Sequence, residues 1–287
     1  LITAGNVTYQ FNADGFLTSK TTSAGTITYN YSSRGELLSV TKPDGTTISY
    51  DNDPMGRRIA KRINGVITEK YLWQGMTRLL AVYDGSNNLI MRFNYADGRI
   101  PVSMTYGGMT YYLAYDQVGS LRALTDSSGN IVKRIDYDSF GNITNDTNPG
   151  FPVSFGFAGG LYDRDTGLVR FGLRDYDPAI GRWTAKDPIE FKGEDTNLFQ
   201  YTNSDPVNFI DSHGLFLDPI IHGIAGAFSS SGPIATGGGI IAGAAAGVAI
   251  SGATTSSVAI IGGGIVIGIG VEHLLDIFDE MFETQGN

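Results

Sequence analysis

Carboxylate side chains beside glycine and proline crowd the stretch between Arg174 and Leu215. Two carboxylates held close together cannot both ionise cheaply, so one of them keeps a proton. Such a pair can serve as general base and general acid in peptide hydrolysis, and a neighbouring guanidinium can orient it. Spacing alone favours the plainer interpretation that these aspartates form turns, because Asp-Pro also begins at positions 53, 177, 187, 205 and 218.

The same stretch lies on a sharp border of composition. Before Leu215 the chain is polar, rich in tyrosine and interrupted by turn residues, whereas Gly, Ala and Ile dominate after it. A dense motif on such a border predicts a processing point between a scaffold and a segment that it carries. Residues 216–287 contain no Lys or Arg, and their acidic residues are Asp218, Glu272, Asp276, Asp279, Glu280 and Glu283.

Composition excludes several classes of function. The net charge of −9 over 287 residues leaves no domain-wide basic surface for a phosphate backbone, so we expect no nucleic acid as a partner. The absence of cysteine excludes disulfides and cysteine-ligated zinc. The sequence has neither a His-Glu-x-x-His spacing nor a phosphate-binding loop, so we expect no metal and no cofactor. The chain begins at Leu1 in mid-pattern, and we expect it to be the C-terminal part of a longer protein.

A repeat of about 20 residues predicts the elements that must position the motif. β-Branched and aromatic residues at period two, separated by Asp/Asn-Gly turns, are typical of β-hairpins. One such hairpin cannot bury both of its faces, so neighbouring hairpins must stack. The periodicity fits either an exposed β-solenoid that acts as a spacer or a wall that curls around an interior. The glycines that close the aromatic strands are Gly15, Gly35, Gly56, Gly75, Gly98, Gly119 and Gly141.

The Tyr-Asp repeats, such as YNYSSRGELLSV from Tyr29 and YDQVGSLRALTD from Tyr115, and the motif that follows them resemble the RHS/YD-repeat proteins. This family includes bacterial polymorphic toxins, shell subunits of insecticidal toxin complexes and the teneurins. The resemblance implies a mainly β fold in which stacked YD-repeat hairpins form part of a hollow β-shell, or cocoon. It divides the chain into YD/RHS repeats (1–150), an RHS repeat-associated core domain (151–215) and a variable C-terminal tail (216–287).

The resemblance also implies roles for residues of the motif. Asp187 and Asp211 match the two aspartates of an intramolecular aspartic protease. Arg174 matches an arginine that the family needs for self-cleavage. The cut in the family follows a Gly-Leu pair, which places it here between Leu215 and Phe216.

Two residues depart from the family's Asp-Pro-x-Gly pattern. The first aspartate motif has Glu190 where the family has glycine, and the second has Ser212 where it has proline. A side chain at position 190 makes a positive φ costly, and the loss of proline frees the backbone beside Asp211. We therefore expect these changes to bear on the efficiency of cleavage.

The tail is expected to be small, hydrophobic and helical. Its apolar stretches 239–252 and 258–271 are each shorter than the ~20 residues of a spanning helix, but together they could form a tilted hairpin. Residues 271–282 have the periodicity of an amphipathic helix. A membrane-active effector and an inert peptide packed inside the shell both remain open. The spacing that lets membrane helices pack closely is present at Gly239, Gly243 and Gly247.

We therefore expect a shell that encloses the tail as cargo and releases it by a single-turnover, aspartic-type self-cleavage. The implied partners are the tail, the upstream shell of the same polypeptide, and a target-cell membrane, an immunity protein or delivery machinery. We expect a secreted or cell-surface protein, delivered by a secretion system. The alternatives are a cell-surface or wall-associated interaction protein without active processing, and an inert spacer.

Overall fold

The computed structural model describes residues 3–96, 98–190, 197–216, 218–219, 258–261 and 264–267. Fifteen strands form one antiparallel sheet, here called the wall, in which each strand is hydrogen-bonded to the next strand of the chain. The predicted mainly β fold of stacked hairpins is confirmed. The strands are β1 (Thr3–Ala4), β2 (Val7–Phe11), β3 (Leu17–Thr22), β4 (Gly25–Tyr31), β5 (Leu37–Thr41), β6 (Thr47–Asn52), β7 (Arg58–Ile63), β8 (Val66–Gln74), β9 (Arg78–Tyr83), β10 (Leu89–Asn94), β11 (Ser103–Tyr106), β12 (Met109–Tyr115), β13 (Leu121–Thr125), β14 (Ile131–Tyr137) and β15 (Ile143–Asp146).

The connection from β12 to β13 shows how the repeat turns. The amide of Asp116 donates to the carbonyl of Ser120 at 3.1 Å, and the amide of Gly119 donates to the carbonyl of Asp116 at 3.0 Å. Gly119 has a φ of 88°, which fits a type I turn followed by one left-handed residue. The same pair of backbone hydrogen bonds closes the turns at 12–16, 32–36, 42–46, 53–57, 84–88, 126–130 and 138–142.

One face of the wall is buried by the chain that follows it. Alternate residues of β12 (Tyr111, Leu113 and Tyr115) are buried, as the period of a strand requires. They belong to a cluster from β9 to β14 that also contains Phe155 and Leu161 from beyond the wall. A second cluster joins the residue Leu168 to apolar residues of β2 to β6, namely Tyr9, Leu17, Tyr29, Leu37, Val40, Ile48 and Tyr50.

The covering chain forms a second antiparallel sheet, here called the small sheet. The boundary expected between residues 150 and 151 lies in the connection that leads to it. An aromatic cluster lies on this sheet; it includes Tyr176 and Trp183 of the sheet and Tyr201 from the chain that follows. Its strands are β16 (Leu161–Asp163), β17 (Leu168–Phe171), β18 (Arg174–Asp177) and β19 (Arg182–Trp183); single 3-10 turns at Phe157–Gly159 and Thr202–Ser204 and the pair β20 (Phe209–Ile210) and β21 (Asp218–Pro219) complete this region.

Three largely buried ion pairs, here called the ion-pair anchor, join the wall to the small sheet. The wall supplies each base and the small sheet supplies each acid. Since both partners of each pair are removed from water, each buried charge depends on the presence of its partner. The pairs are Lys20–Asp177 at 2.8 Å, Arg58–Asp175 at 3.0 Å and Lys61–Asp163 at 2.7 Å.

Asp163 illustrates how the anchor keeps a carboxylate ionised in the interior. Burial alone would raise its pKa, but the charges of Lys61 and Arg58, with hydrogen bonds from Lys61 and Tyr50, bring the pKa below its ordinary value. The Tyr50 hydroxyl donates to Asp163 Oδ2 at 2.7 Å. This buried aspartate therefore holds the two sheets together.

In the tail, the structure describes two further strands, β22 (Val258–Ile261) and β23 (Gly264–Ile267), which pair antiparallel. The chain is strand at these positions where the sequence analysis expected helix, because Val and Ile favour extended backbone. The expected glycine stripe at Gly239, Gly243 and Gly247 lies outside the described residues, as does the expected helix at 271–282. Among the residues that are described, no helix is long and apolar enough to cross a membrane.

We predict that Lys61→Met lowers the free energy of unfolding by about 3–5 kcal/mol, because it leaves the buried Asp163 without its main counter-charge. Urea unfolding followed by tryptophan fluorescence measures the loss. Arg62→Met is the matched control, since Arg62 pairs with Asp51 at the surface, and we expect no measurable change from it. Equal effects of the two substitutions would contradict a structural role for the anchor.

Candidate functional site

Strand β18 positions the first residue of the predicted site. Side chains alternate between the two faces of a strand, and Asp175 and Asp177 contact bases of the wall. Arg174 therefore points away from the wall, and its guanidinium lies 4.2 Å from the ring centre of Trp183. Packing on this indole fixes the guanidinium in the interior.

The structure brings together the three residues assigned to catalysis, here called the carboxylate site. Arg174 Nη2 lies 2.9 Å from Asp187 Oδ2 and 3.0 Å from Asp211 Oδ2. All three side chains are buried. The two carboxylates thus share one nitrogen of a single guanidinium, and they are close neighbours although 24 residues separate them in the chain.

The same site holds the backbone on either side of the predicted cut. Arg174 Nε donates to the carbonyl of Gly214 at 2.5 Å. Asp211 Oδ1 accepts hydrogen bonds from the amides of Leu215 at 2.9 Å and Phe216 at 3.2 Å. The nitrogen of the Leu215–Phe216 peptide bond is therefore in direct contact with one of the two carboxylates.

Burial and hydrogen-bonding partners move the pKa of Asp211 in opposite directions. Burial raises the pKa of Asp211 above its ordinary value, although Arg174 and the two amides act in the opposite direction. Asp163 in the anchor has the charges of both Lys61 and Arg58 and a hydrogen bond from Tyr50, whereas the counter-charge of Asp211, Arg174, also pairs with Asp187. Because burial outweighs these contacts, Asp211 is protonated more easily than an exposed aspartate.

Asp187 is oriented by its own turn. Its Oδ1 accepts the amide of Ile189 at 2.9 Å, and its carbonyl accepts the amide of Glu190 at 3.1 Å. Glu190 has a φ of 54°. The turn therefore keeps the left-handed backbone that suits glycine, although this chain has Glu there, and the strain costs about 1–2 kcal/mol.

The hairpin between β17 and β18 supports the segment that contains Asp211. The amide of Leu173 donates to the carbonyl of His213 at 3.0 Å. A methyl group at Gly172 would collide with that carbonyl, and one at Gly214 would collide with the carbonyl of Phe171. These glycines allow two backbones to approach closely, so that Arg174 reaches the carboxylates.

Sequence reasoning missed the supporting residues. Trp183 lies between Arg174 and Asp187 in the chain, but nothing in its spacing indicates that its ring packs against Arg174. The sequence could have identified Gly172 only as a turn residue between two short strands. The contact with Gly214 that explains it crosses a long separation in the chain.

Comparison with known proteins identifies the family of this fold. The family model described as Teneurin YD-shell matches residues 1–207. Teneurin-3 of Danio rerio is 34% identical over 220 residues, which are 72% of this chain and 8% of that protein. The tRNA3(Ser)-specific nuclease WapA of Bacillus spizizenii is 29% identical over 216 residues, 73% of this chain and 8% of the nuclease. The chain thus spans less than a tenth of the length of these relatives.

Two solved structures share this fold. The Photorhabdus luminescens Tc holotoxin pore matches 74% of this chain and 13% of its own, with a TM-score of 0.52 and 19% identity. The crystal structure of TcdB2–TccC3–TEV matches 73% of this chain and 13% of its own, with a TM-score of 0.51 and 21% identity. At these identities the likeness concerns the fold.

We predict that Glu190→Gly raises the free energy of unfolding by up to about 1 kcal/mol, because glycine adopts the positive φ of position 190 without strain. Glu190→Ala is the control, since alanine removes the side chain but retains the strain. Urea unfolding curves of the two variants separate these effects. A gain with Ala equal to that with Gly would contradict the backbone explanation.

Proposed function

The chain belongs to the teneurin YD-shell family, and on this basis we propose that it is part of a shell that encloses its own C-terminal segment and cuts the chain between Leu215 and Phe216. One observation carries the proposal. Asp211 contacts the amide of the bond to be cut, and the same guanidinium binds Asp211 and Asp187. Two aspartates that only formed turns would not need to share one buried guanidinium.

The proposed chemistry is hydrolysis by two carboxyl groups. Ionised Asp187, which is held by Arg174, takes a proton from water as the water oxygen attacks the carbonyl carbon of Leu215. Protonated Asp211 gives its proton to the nitrogen of Phe216, and the carbon–nitrogen bond breaks. The products are a carboxyl group on Leu215 and an amine on Phe216.

Intramolecular delivery of the peptide lowers the demand on this pair. The bond is already held at the site through the carbonyl of Gly214 and the amide of Phe216. Such positioning is worth on the order of 7–11 kcal/mol at best, compared with a reaction between separate molecules. One turnover per chain then requires only modest acid–base catalysis.

Enclosure of residues 216–287 is supported by the fold shared with Tc toxin shells and by the nuclease toxin among the relatives. The partners would then be the enclosed segment, the rest of the shell and a delivery complex, at an extracellular or cell-surface location. Membrane activity of the segment stays a prediction. The teneurin relatives favour the alternative, an extracellular interaction module without processing.

We predict that purified protein has the intact masses of two fragments divided after Leu215, with the smaller one still bound. Asp187→Asn and Asp211→Asn each slow the cut by about 10²–10⁴-fold, because each removes one acid–base group. Asp205→Asn is the matched control, since Asp205 contacts only the nearby turn residue Asn208 through its side chain among the described residues. A wild-type protein that stays at full length would instead support the interaction module.

We also predict that the rate of the cut falls as pH rises through the raised pKa of Asp211, because the neutral carboxyl is the proton donor. Uncut chain recovered in urea and refolded at a series of pH values gives the single-turnover rate. Asp211→Asn should show no such dependence in its residual rate. A rate that climbs steadily from acidic to neutral pH would contradict the role given to Asp211.

A further inference from the structure

Two buried arginines of the anchor region share a single carboxylate. Asp175 Oδ1 accepts Arg58 Nη2 at 3.0 Å, and Asp175 Oδ2 accepts Arg170 Nη1 at 2.6 Å. Arg58 is 2% exposed and Arg170 is 4% exposed. Among the described residues, the Nε atom of each arginine is buried and has no hydrogen-bond partner. Buried unsatisfied donors are costly, and those of a charged group most of all.

Both arginines line one cavity between the wall and the small sheet. Its volume is about 30 Å³, and its lining also includes Trp73, Thr77 and Ser212. This is room for a small polar group, since one water needs roughly 10–15 Å³ by this measure. Burial lowers the pKa of Arg170; the charge of Asp175 opposes this shift, and the charge of Arg58 adds to it. The cavity is thus lined by two arginines that share one carboxylate.

We propose that this cavity is an oxyanion site that binds a carboxylate. Guanidinium groups are the preferred partners of planar oxyanions, and an occupant would satisfy donors that are otherwise unpaired. Two sources supply the same chemistry: a free oxyanion, or an acidic side chain of residues 217–287. The second is favoured because that segment has acidic residues and no basic ones. It also begins close to Ser212, which lines the cavity.

The site does not depend on self-cleavage. In the second case it would retain the enclosed segment by charge, whether or not the chain is cut. An Asp187→Asn background keeps every sample in one covalent state, so that the test of the oxyanion site is separate from the test of the protease.

A built-in carboxylate tests the site directly. We expect the Tm of the Thr77→Glu variant to be about 2–4 °C higher than that of the Thr77→Gln variant. Glutamine has the same shape as glutamate, but only glutamate supplies a carboxylate to the two arginines. Thr77 is partly exposed and uncharged, so neither variant removes an ion pair. Differential scanning calorimetry in sodium chloride gives both values.

Added acetate then identifies the source of the oxyanion. Tm is measured in sodium acetate and in sodium chloride at equal ionic strength. The Tm difference between the two salts is also measured for Thr77→Glu, whose built-in carboxylate occupies the site, and this general salt effect is subtracted. A specific rise in the Asp187→Asn chain indicates a free oxyanion. No rise in that chain, but a rise after all acidic residues of 217–287 are changed to amides, indicates a side chain of the segment.

The outcome that overturns the proposal is equally specific. It is the combination of no acetate response in either chain and equal Tm values for Thr77→Glu and Thr77→Gln. The two arginines would then be satisfied without an anion, and the cavity would be a packing defect between two sheets.

Discussion

The register of β18 between the wall and the carboxylate site is the constraint on which the rest of the molecule depends. All four of its residues are buried, and their side chains alternate between two different environments. Asp175 and Asp177 meet Arg58 and Lys20 of the wall, whereas Arg174 meets the catalytic candidates on the opposite side. A slip by one residue would exchange these faces. The ion-pair anchor thereby fixes the geometry of the site as well as the docking of the small sheet.

Counter-charge explains why buried aspartates of one region behave differently. Asp163 is paired with a lysine and bonded by a tyrosine, so it remains ionised and its pKa is lowered. Such a group stabilises the fold above its ordinary pKa, and this contribution is lost as pH falls through the lowered value. Burial raises the pKa of Asp211, and Arg174, which Asp211 shares with Asp187, offsets this only in part. The first arrangement suits a structural tie, and the second suits proton transfer.

Sequence reasoning succeeds where the determinant is local. The turn at Asp116 follows from an aspartate that can bond its own backbone and a glycine that accepts a positive φ, and the strain at position 190 follows from the same logic. It fails where the determinant is distant: Lys61 and Asp163 are 102 residues apart, and no spacing rule connects them. The residues of the carboxylate site came from family resemblance, since their spacing alone favours turns. In the tail, Val258–Ile261 and Gly264–Ile267 form strands because their β-branched residues favour extended backbone.

The replacement of proline by Ser212 can be understood through the contacts around it. Proline restricts the backbone by covalent means, whereas here the restriction comes from hydrogen bonds made across the fold. Leu173 holds the carbonyl of His213, Arg174 holds that of Gly214, and Asp211 holds the next two amides. Four consecutive residues after position 212 are thus bonded to the β17–β18 hairpin or to the site itself. The anchor keeps that hairpin in place, so the local freedom introduced by Ser212 is removed by the tertiary structure.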